Sequence, residues 1–287
     1  MTEVKYMNDF EILQHSIVYS NNILDKFNKD IKLVKVSDFV LASLYRKIIE
    51  LSDGVFMAAK EGIYASTMLN YRALIEASHA FNYIFLEEET IESKSIAYKI
   101  AYHHQQLAAA DMQIKLFGDD EPEVFQRKFA ANKDELEKLT DTDVMKKFNQ
   151  KLNKRKGYIP KWYSLFGDAN NMRELSEFLE KKSSFTKEER EVDRNGMIYS
   201  LYGLLSLTGH SYIDLNAIIE IEDDYLVKPV RLTVDENVKN NGPLIHTKAM
   251  LSTSIVLFAR HFFAEDDPEI MEFYVFMHSY IQKNLQP

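Results

Sequence analysis

The amino-acid sequence predicts an all-α fold, a single helical-bundle domain that spans residues 1–287. Only 9 Gly and 6 Pro occur in the chain, so residues that interrupt helices are scarce. Hydrophobic residues make up 46% of the sequence, which is enough for a sizeable core. Apolar residues also recur at helical spacing in long segments that begin with capping residues. These three observations together favour long helices packed around a common core.

The helices follow one another along most of the chain. Capping pairs such as Asn8 with Glu11 and Asn171 with Glu174 mark helix starts, and Pro122 fits the first turn of another helix. The expected helices cover about 10–27, 37–60, 63–88, 91–117, 122–139, 144–156, 171–182, 187–210, 246–264 and 268–284. The charged helical segment at about 118–160 is predicted to be an insertion. Residues 225–243 do not have a helical pattern, and their spaced Val and Leu residues predict a small extended excursion, consistent with a β-hairpin.

The composition excludes several classes of protein. The chain has no cysteine, which excludes disulfides, thiolate metal sites and a cysteine nucleophile. The N-terminus lacks the apolar core of a signal peptide, and the most continuous apolar run (249–259) is too short to cross a bilayer. We therefore expect a soluble cytoplasmic protein without a membrane partner. The net charge of −9 disfavours indiscriminate binding to polyanions. The sequence contains no glycine-rich phosphate-binding loop, so nothing in it indicates a cofactor.

The segment NYRALIEASHA (70–80) places three polar residues in a helix that is otherwise apolar almost all round. Arg72, Glu76 and His79 point within roughly 60° of one another on one helix face. A helix that is apolar on every side is normally surrounded by other helices, so we expect the three side chains to be at least partly buried. Arg72 and Glu76 are four residues apart and can form an ion pair within the helix. These three residues are the first candidate catalytic residues.

Three interpretations of this cluster stay open. Arg72 and Glu76 can form a core salt bridge that fixes helix packing. Arg72 and His79 also resemble the Arg-x4-6-His signature of HEPN domains (higher eukaryotes and prokaryotes nucleotide-binding), all-α domains that include many metal-independent ribonucleases. That resemblance implies His79 as general acid or base and Arg72 as the group that stabilises the phosphorane. However, the residue after the arginine is usually polar in that family and here is Ala73, and Glu76 would compete with phosphate for Arg72. Thirdly, Glu76 and His79 have the spacing of a metal-carboxylate bundle site, although the chain lacks a second Glu-x-x-His.

A second polar cluster lies in YSLYGLLSLTGHS (199–211), where Ser206 and His210 share one face of the expected helix. This segment resembles a Tyr-x-x-Leu-Ser-x-x-x-His helix, and NYRALIEA resembles an Arg-x-Leu-x-Glu helix. Both patterns recur in a family of all-helical bacterial proteins that is classed only as a domain of unknown function. The resemblance of this chain to that family covers about residues 40–265. It implies that Arg72, Glu76, Ser206 and His210 are the polar positions of the family and that they meet between two antiparallel helices.

A basic window covers residues 146–161, with seven Lys or Arg and no acidic residue. It interleaves cations with aromatic side chains, a pattern that suits single-stranded RNA through phosphate contacts and base stacking. A solvated helix face with inward aromatics, or a surface for an acidic protein partner, are the alternatives. The candidate RNA-binding residues are Lys147, Lys151, Lys154, Arg155, Lys156, Lys161 and Trp162.

The expected function is binding or assembly by a helical protein with a buried Arg-Glu-His cluster, with a role in defence or stress implied by the family resemblance. The alternatives are a ribonuclease of the HEPN kind and a metal-carboxylate protein. Neither a cofactor nor a metal is predicted, and whether the protein is an enzyme is left open. The aromatic segment FYVFMHSYI (273–281) predicts a homo-oligomer, most simply a homodimer.

Overall fold

The structure is a computed structural model that describes residues 9–117, 122–154, 158–182, 218–221, 224–227, 242–264 and 266–284. The fold is all-α, as the sequence predicts. The helices are α1 Asp9–Asp30, α2 Val36–Lys60, α3 Tyr64–Phe85, α4 Ile91–Phe117, α5 Pro122–Glu137, α6 Asp143–Lys154, α7 Met172–Lys182, α8 Gly242–Phe262 and α9 Pro268–Asn284. Two 3₁₀ helices cover Glu88–Thr90 and Trp162–Phe166, and two strands cover β1 Ile218–Ile221 and β2 Asp224–Val227.

Several helix ends lie where local sequence signals predict them. Pro122 and Pro268 are the first residues of α5 and α9, where a missing backbone N–H leaves no helical hydrogen bond unmade. The backbone N–H of Glu174 donates to the side-chain oxygen of Asn171 at 3.0 Å, which caps α7. Gly62 has φ of 71° and ends α2, because this left-handed conformation costs glycine little.

The chain divides into two compact units. The first unit contains Met1–Lys32, Ala42–Phe81 and Thr186–Pro287, and the second contains Leu33–Leu41 and Asn82–Phe185. The expected single domain over 1–287 stays a prediction.

Aromatic rings fill the core of the first unit, where α1 packs along α8. Tyr45 of α2 stacks on Phe258 of α8, with ring centroids 4.1 Å apart and an interplanar angle of 9°. Phe27 of α1 contacts the same ring and that of Phe262, at centroid distances of 5.1 and 4.7 Å. Tyr45, Phe27 and Phe258 are all fully buried, so these large apolar surfaces stabilise the unit through the hydrophobic effect.

The second unit is built around α4. Helix α5 packs against α4, and Lys99 of α4 forms an ion pair with Glu135 of α5 at 2.7 Å. The imidazole of His104 on α4 stacks on Phe148 of α6, with centroids 4.7 Å apart. The described part of the charged segment at 118–160 therefore folds as helices against α4.

A β-hairpin interrupts the helical fold near the predicted position. Strands β1 and β2 pair antiparallel, with Ile218 opposite Val227 and Ile221 opposite Asp224. An extended pair was expected at 225–243, and the described pair lies at 218–227, so the two ranges share three residues. The earlier strand is the β-branched run IIEI, which favours a pleated conformation. Residues 228–241 lie outside the described part of the chain.

The long helices carry exposed apolar side chains. On α3, Tyr64 and Leu69 are 38% and 47% exposed, so other helices do not enclose α3 on every side, in contrast to the expectation from its apolar pattern. In the ranges that the structure describes, no helix combines the length and apolar character needed to span a membrane.

Candidate functional site

The polar residues of α3 lie one turn apart on the helix. Nε of Arg72 is 3.5 Å from Oε1 of Glu76, so the predicted ion pair is present. The side chain of Arg72 is 21% exposed and that of Glu76 is 42% exposed. The pair therefore lies at the edge of the core and has access to solvent.

His79 is in a different environment, although it shares the helix face. Its side chain is 9% exposed. Burial penalises the imidazolium and lowers the pKa of His79 to about 4, and a hydrogen bond with the backbone of Ile75 offsets this only in part. The ring is therefore neutral at pH 7 and packs within the helical core, where a substrate hydroxyl could not reach it without a rearrangement.

Ser206 and His210, the other candidate catalytic residues, lie outside the described residues. Their predicted meeting with Arg72 and Glu76 stays a prediction.

A neighbouring residue of α3 is joined to α8 by a contact that could not be predicted from the sequence. The hydroxyl of Tyr71 and Nδ1 of His246 share a hydrogen bond of 2.6 Å, and the two rings stack with centroids 6.1 Å apart. Tyr71 is 1% exposed, and burial raises the pKa of its hydroxyl. The two residues are 175 positions apart, and neither has a local pattern that identifies the other.

No described metal site supports the metal-carboxylate interpretation. Within the residues that the structure describes, no three His, Asp or Glu side chains come together in a way that could hold a metal ion. His103, which could have supplied a further ligand, forms a 2.8 Å hydrogen bond with Asn132. Glu76 and His79 therefore gain no additional metal ligand in this part of the chain.

The described lysines of the basic window lie on the amphipathic helix α6 and, for Lys161, directly before the 3₁₀ helix Trp162–Phe166. Lys147, Lys154 and Lys161 are exposed, whereas Lys151 is half-buried and donates a hydrogen bond to the backbone carbonyl of Ser164. Arg155 and Lys156 lie outside the described residues. Because Lys151 is tied to the 3₁₀ helix at Trp162–Phe166, it fixes the end of α6 and is less available to a ligand than its neighbours.

Most aromatic residues in and around the window pack inward. Trp162 is 8% exposed, and its ring meets Tyr83 and Tyr98 at centroid distances of 5.4 and 5.3 Å. Phe148 is fully buried, and Tyr158 is exposed at 40%. As placed, Trp162 offers no free face for base stacking, because its ring completes a core of aromatic side chains. An RNA ligand would have to be held mainly through its phosphates.

The structure also contains an ionic cluster around a buried lysine, which the sequence did not indicate. Lys94 of α4 is 2% exposed, and its ammonium group lies 4.4 Å from the centre of the Tyr83 ring and 3.9 Å from the carboxylate of Glu87. The hydroxyl of Tyr83 donates a 2.5 Å hydrogen bond to Asp168. Burial lowers the pKa of Lys94, and Glu87 and Asp168 oppose that shift. Burial and the Asp168 hydrogen bond raise the pKa of Tyr83.

Perturbed pKa values of this kind occur both at active sites and in structural ion pairs. Here each polar group has a partner within the cluster: the ring of Tyr83 faces the ammonium group of Lys94, and the hydroxyl of Tyr83 donates its hydrogen bond to Asp168. The cluster joins α3, α4 and the loop after Trp162–Phe166 inside the second unit. We interpret it as a structural element that fixes these segments.

A cleft of about 470 Å³ lies between α1 and α9 in the first unit. Its lining mixes the cations Lys26 and Lys29 with acidic residues that include Glu272. Lys26 is already held by Asp267 at 3.0 Å, and the pKa of Tyr19 is raised by burial and by the Glu272 carboxylate. With both signs of charge present, the cleft does not select an anion or a cation.

Comparison with known proteins gives one match. Neither a curated protein nor a solved structure matches the chain. A family model described as a family of unknown function, DUF5677, matches residues 38–226, which is 189 of 287 residues. This confirms the expected membership in a family of unknown function, and it does not report on the individual motifs. The chain belongs to the family of unknown function DUF5677.

Proposed function

We propose that this protein acts by binding rather than by chemistry at α3, and that the exposed lysines of α6, together with Lys161, contact the phosphates of single-stranded RNA. One observation supports this most directly. Lys147, Lys154 and Lys161 are exposed, and none of the ion pairs among the described residues includes any of them. They form a cationic surface on a protein whose net charge is −9, and Asp143 is near enough to Lys147 to interact with it electrostatically.

The amphipathic pattern of α6 explains why its lysines are exposed to solvent. Met145 and Phe148 are buried on one side of the helix, so the lysines are left on the other. Thr142 caps the helix by accepting a hydrogen bond from the N–H of Met145 at 3.1 Å. Lysines are enriched towards the C-terminal end, where they also interact favourably with the helix dipole. The cations are therefore held by a rigid element.

The negative net charge of the chain restricts where on its surface RNA can bind. A chain with a net charge of −9 repels a polyanion over most of its surface, so association is favoured only where the cations are concentrated. Since Trp162 is buried, base stacking cannot supply most of the affinity. We expect weak binding with little sequence preference and a strong dependence on salt. For three phosphate contacts the slope of log K against log salt should be about −2 for a single strand.

Fluorescence anisotropy with labelled single-stranded RNA over a range of salt concentrations tests the proposal. The variant combines Lys147→Gln, Lys154→Gln and Lys161→Gln. We expect it to lose at least about tenfold in affinity at low salt and to reduce the salt slope by about 2.

The matched control removes the same charge elsewhere. Lys29→Gln, Lys32→Gln and Lys35→Gln replace three exposed lysines near the end of α1. This control should bind RNA as the wild type does. A wild-type protein that does not bind RNA, or whose affinity is independent of salt, would contradict the proposal and leave the two alternatives of a solvated helix face and a surface for an acidic protein partner.

The ribonuclease alternative can be tested in the same protein–RNA mixtures by measuring cleavage of the RNA. Cleavage of the RNA that is lost in both Arg72→Ala and His79→Gln would support an enzyme of the HEPN kind. The burial of His79 does not support the ribonuclease alternative, which stays a prediction. A role in defence or stress and a cytoplasmic location also stay predictions.

A further inference from the structure

One face of α4 is exposed over four turns and carries no charge. Tyr102, Met112 and Leu116 are 51%, 63% and 66% exposed. The face consists of Tyr102, Gln105, Gln106, Ala109, Met112, Gln113 and Leu116. Tyr102, Ala109 and Leu116 are seven residues apart, the spacing that keeps side chains on one side of a helix that pairs with another. We call this set the α4 stripe.

The other faces of α4 are occupied within the second unit. Lys99 and His103 face α5 through Glu135 and Asn132, and His104 faces α6 through Phe148. At 100° per residue the centre of the α4 stripe lies about 100° from the midpoint of Lys99 and His103 and about 140° from His104, so the stripe is a separate sector of the helix from these contacts. The charged residues of this half of α4, Asp111 and Lys115, lie off the stripe and pair with each other at 2.5 Å.

An exposed face without charge is unusual in a chain with 28% charged residues. Contiguous exposed apolar surface usually marks a contact site. Glutamine and alanine between the larger residues keep the stripe uncharged and narrow, as is typical of a seam between two helices.

The residue order of the stripe is compatible with a second copy of α4 as its partner. If two copies of α4 pair antiparallel about a two-fold axis at Ala109, Tyr102 faces Leu116 of the second copy, and Gln106 faces Met112. Gln105 then faces Gln113, and Ala109 faces its own copy. Every position has an uncharged partner, and a large side chain near each end is matched by another. Such self-complementarity is what an isologous interface requires.

A parallel pairing in the same seam is less favourable. It would align the two helix dipoles in the same direction, whereas the antiparallel pairing opposes them. The small side chain of Ala109 lets the helices approach at the centre.

We propose that the α4 stripe is the interface of an antiparallel homodimer of this protein, with the two-fold axis at Ala109. A single pair of helices buries less than the roughly 800 Å² per partner of a standard interface, so the dimer should dissociate in the micromolar range. The interface does not depend on RNA binding by α6. It also differs from the C-terminal segment 273–281, from which a homodimer was predicted and where Phe273 is buried.

Cysteine cross-linking tests the register, since the chain contains no cysteine of its own. Ala109→Cys should form a disulfide-linked dimer on mild oxidation, because this residue faces its own copy. Leu116→Cys alone should not, because the two copies of this residue lie about 21 Å apart along the axis. An equimolar mixture of Tyr102→Cys and Leu116→Cys, with one of them carrying a size tag, should give the mixed dimer. Ala131→Cys on the exposed face of α5 is the control and should stay monomeric.

Sedimentation equilibrium tests the affinity. Ala109→Glu places two carboxylates at the axis and should weaken the dimer at least tenfold, while Ala131→Glu, the same change on α5, should leave it unchanged. Circular dichroism confirms that both variants stay folded, as expected for exposed helical positions. A wild type that is monomeric at high micromolar concentration, a dimer that Ala109→Glu does not weaken, or efficient cross-linking of Leu116→Cys alone would each overturn the proposal.

Discussion

The pH dependence of stability offers a direct test of the environment of His79. Burial lowers the pKa of this imidazole from 6.5 to about 4. Between these two values the unfolded chain binds a proton that the folded protein does not. The free energy of unfolding should therefore fall as the pH drops from 6.5 to 4, and this contribution is fully present above pH 6.5.

The size of the effect follows from the two pKa values. They differ by 6.5 − 4 = 2.5, and each unit corresponds to 1.36 kcal/mol, so the full change is about 3 kcal/mol. That is a large share of the stability of an ordinary domain. Most of the change lies above the range in which carboxylates titrate, so it can be separated from general acid denaturation.

Urea unfolding at a series of pH values from above 6.5 down to 4 measures this change. The variant is His79→Gln, whose amide is neutral throughout and can still donate a hydrogen bond towards the backbone of Ile75. We expect the variant to lose some stability at pH 7 through poorer packing, and to lose about 3 kcal/mol less than the wild type across the pH range. His15→Gln, a change at an exposed histidine of α1, is the matched control and should keep the wild-type pH dependence.

The opposite result would have a clear meaning. If wild type and His79→Gln lose stability equally between pH 6.5 and 4, then His79 is protonated as readily in the folded protein as in the unfolded chain. Its imidazole would be accessible to solvent, and the acid–base role expected from the HEPN resemblance would regain support.

Three further substitutions test individual contacts. Gly54→Ala should gain less than the roughly 1 kcal/mol expected in an open helix, because the new methyl group would meet the side chain of Asn70 at 3.0 Å. An Asn70→Ala background should restore the gain, and a urea double-mutant cycle without coupling would contradict this contact. Tyr83→Phe should lower the free energy of unfolding by about 2 kcal/mol, since it removes the hydrogen bond to Asp168, and unchanged thermal unfolding would argue against that bond. Glu135→Gln should cost under about 1 kcal/mol at neutral pH, because its carboxylate is partly exposed. Two lysine ammonium groups lower the pKa of Glu135 from 4.5 to about 2, so this stability is present above pH 4.5 and is lost as the pH falls to 2, which thermal unfolding at low salt can follow.

The parts of the fold that the sequence predicted are those controlled by nearby residues. Proline at a first helical turn and the Asn171 cap act within a few residues, so Pro122, Pro268 and the start of α7 could be placed from the sequence. The Arg72–Glu76 ion pair is likewise an effect of i, i+4 spacing on one helix. The family match over 38–226 confirms the broader resemblance to a family of unknown function and leaves the individual motifs untested.

The parts that could not be predicted depend on distant residues. Tyr83 and Asp168 are 85 positions apart, and Lys94 has no local pattern that marks it as buried. The environment of His79 was also out of reach, because spacing places its side chain on the same face as Arg72 and Glu76 but does not show how deeply it is buried. For Trp162, a basic neighbourhood suggested a ligand surface, and its packing against Tyr83 and Tyr98 depends on α3 and α4.

The range of the family match shows which of the surfaces described above lie in the part of the chain that the family shares. The α4 stripe and the lysines of α6 both lie within residues 38–226, whereas the cleft between α1 and α9 lies outside them. If the α4 stripe is a dimer interface, it imposes a rule that other members of the family can test. The position of Ala109 faces its own copy across the axis, so a charged residue there would oppose an identical charge, and a large one would separate the helices. Members that dimerise through this helix should therefore carry a small, uncharged residue at that position, and an acidic residue there should accompany a monomer.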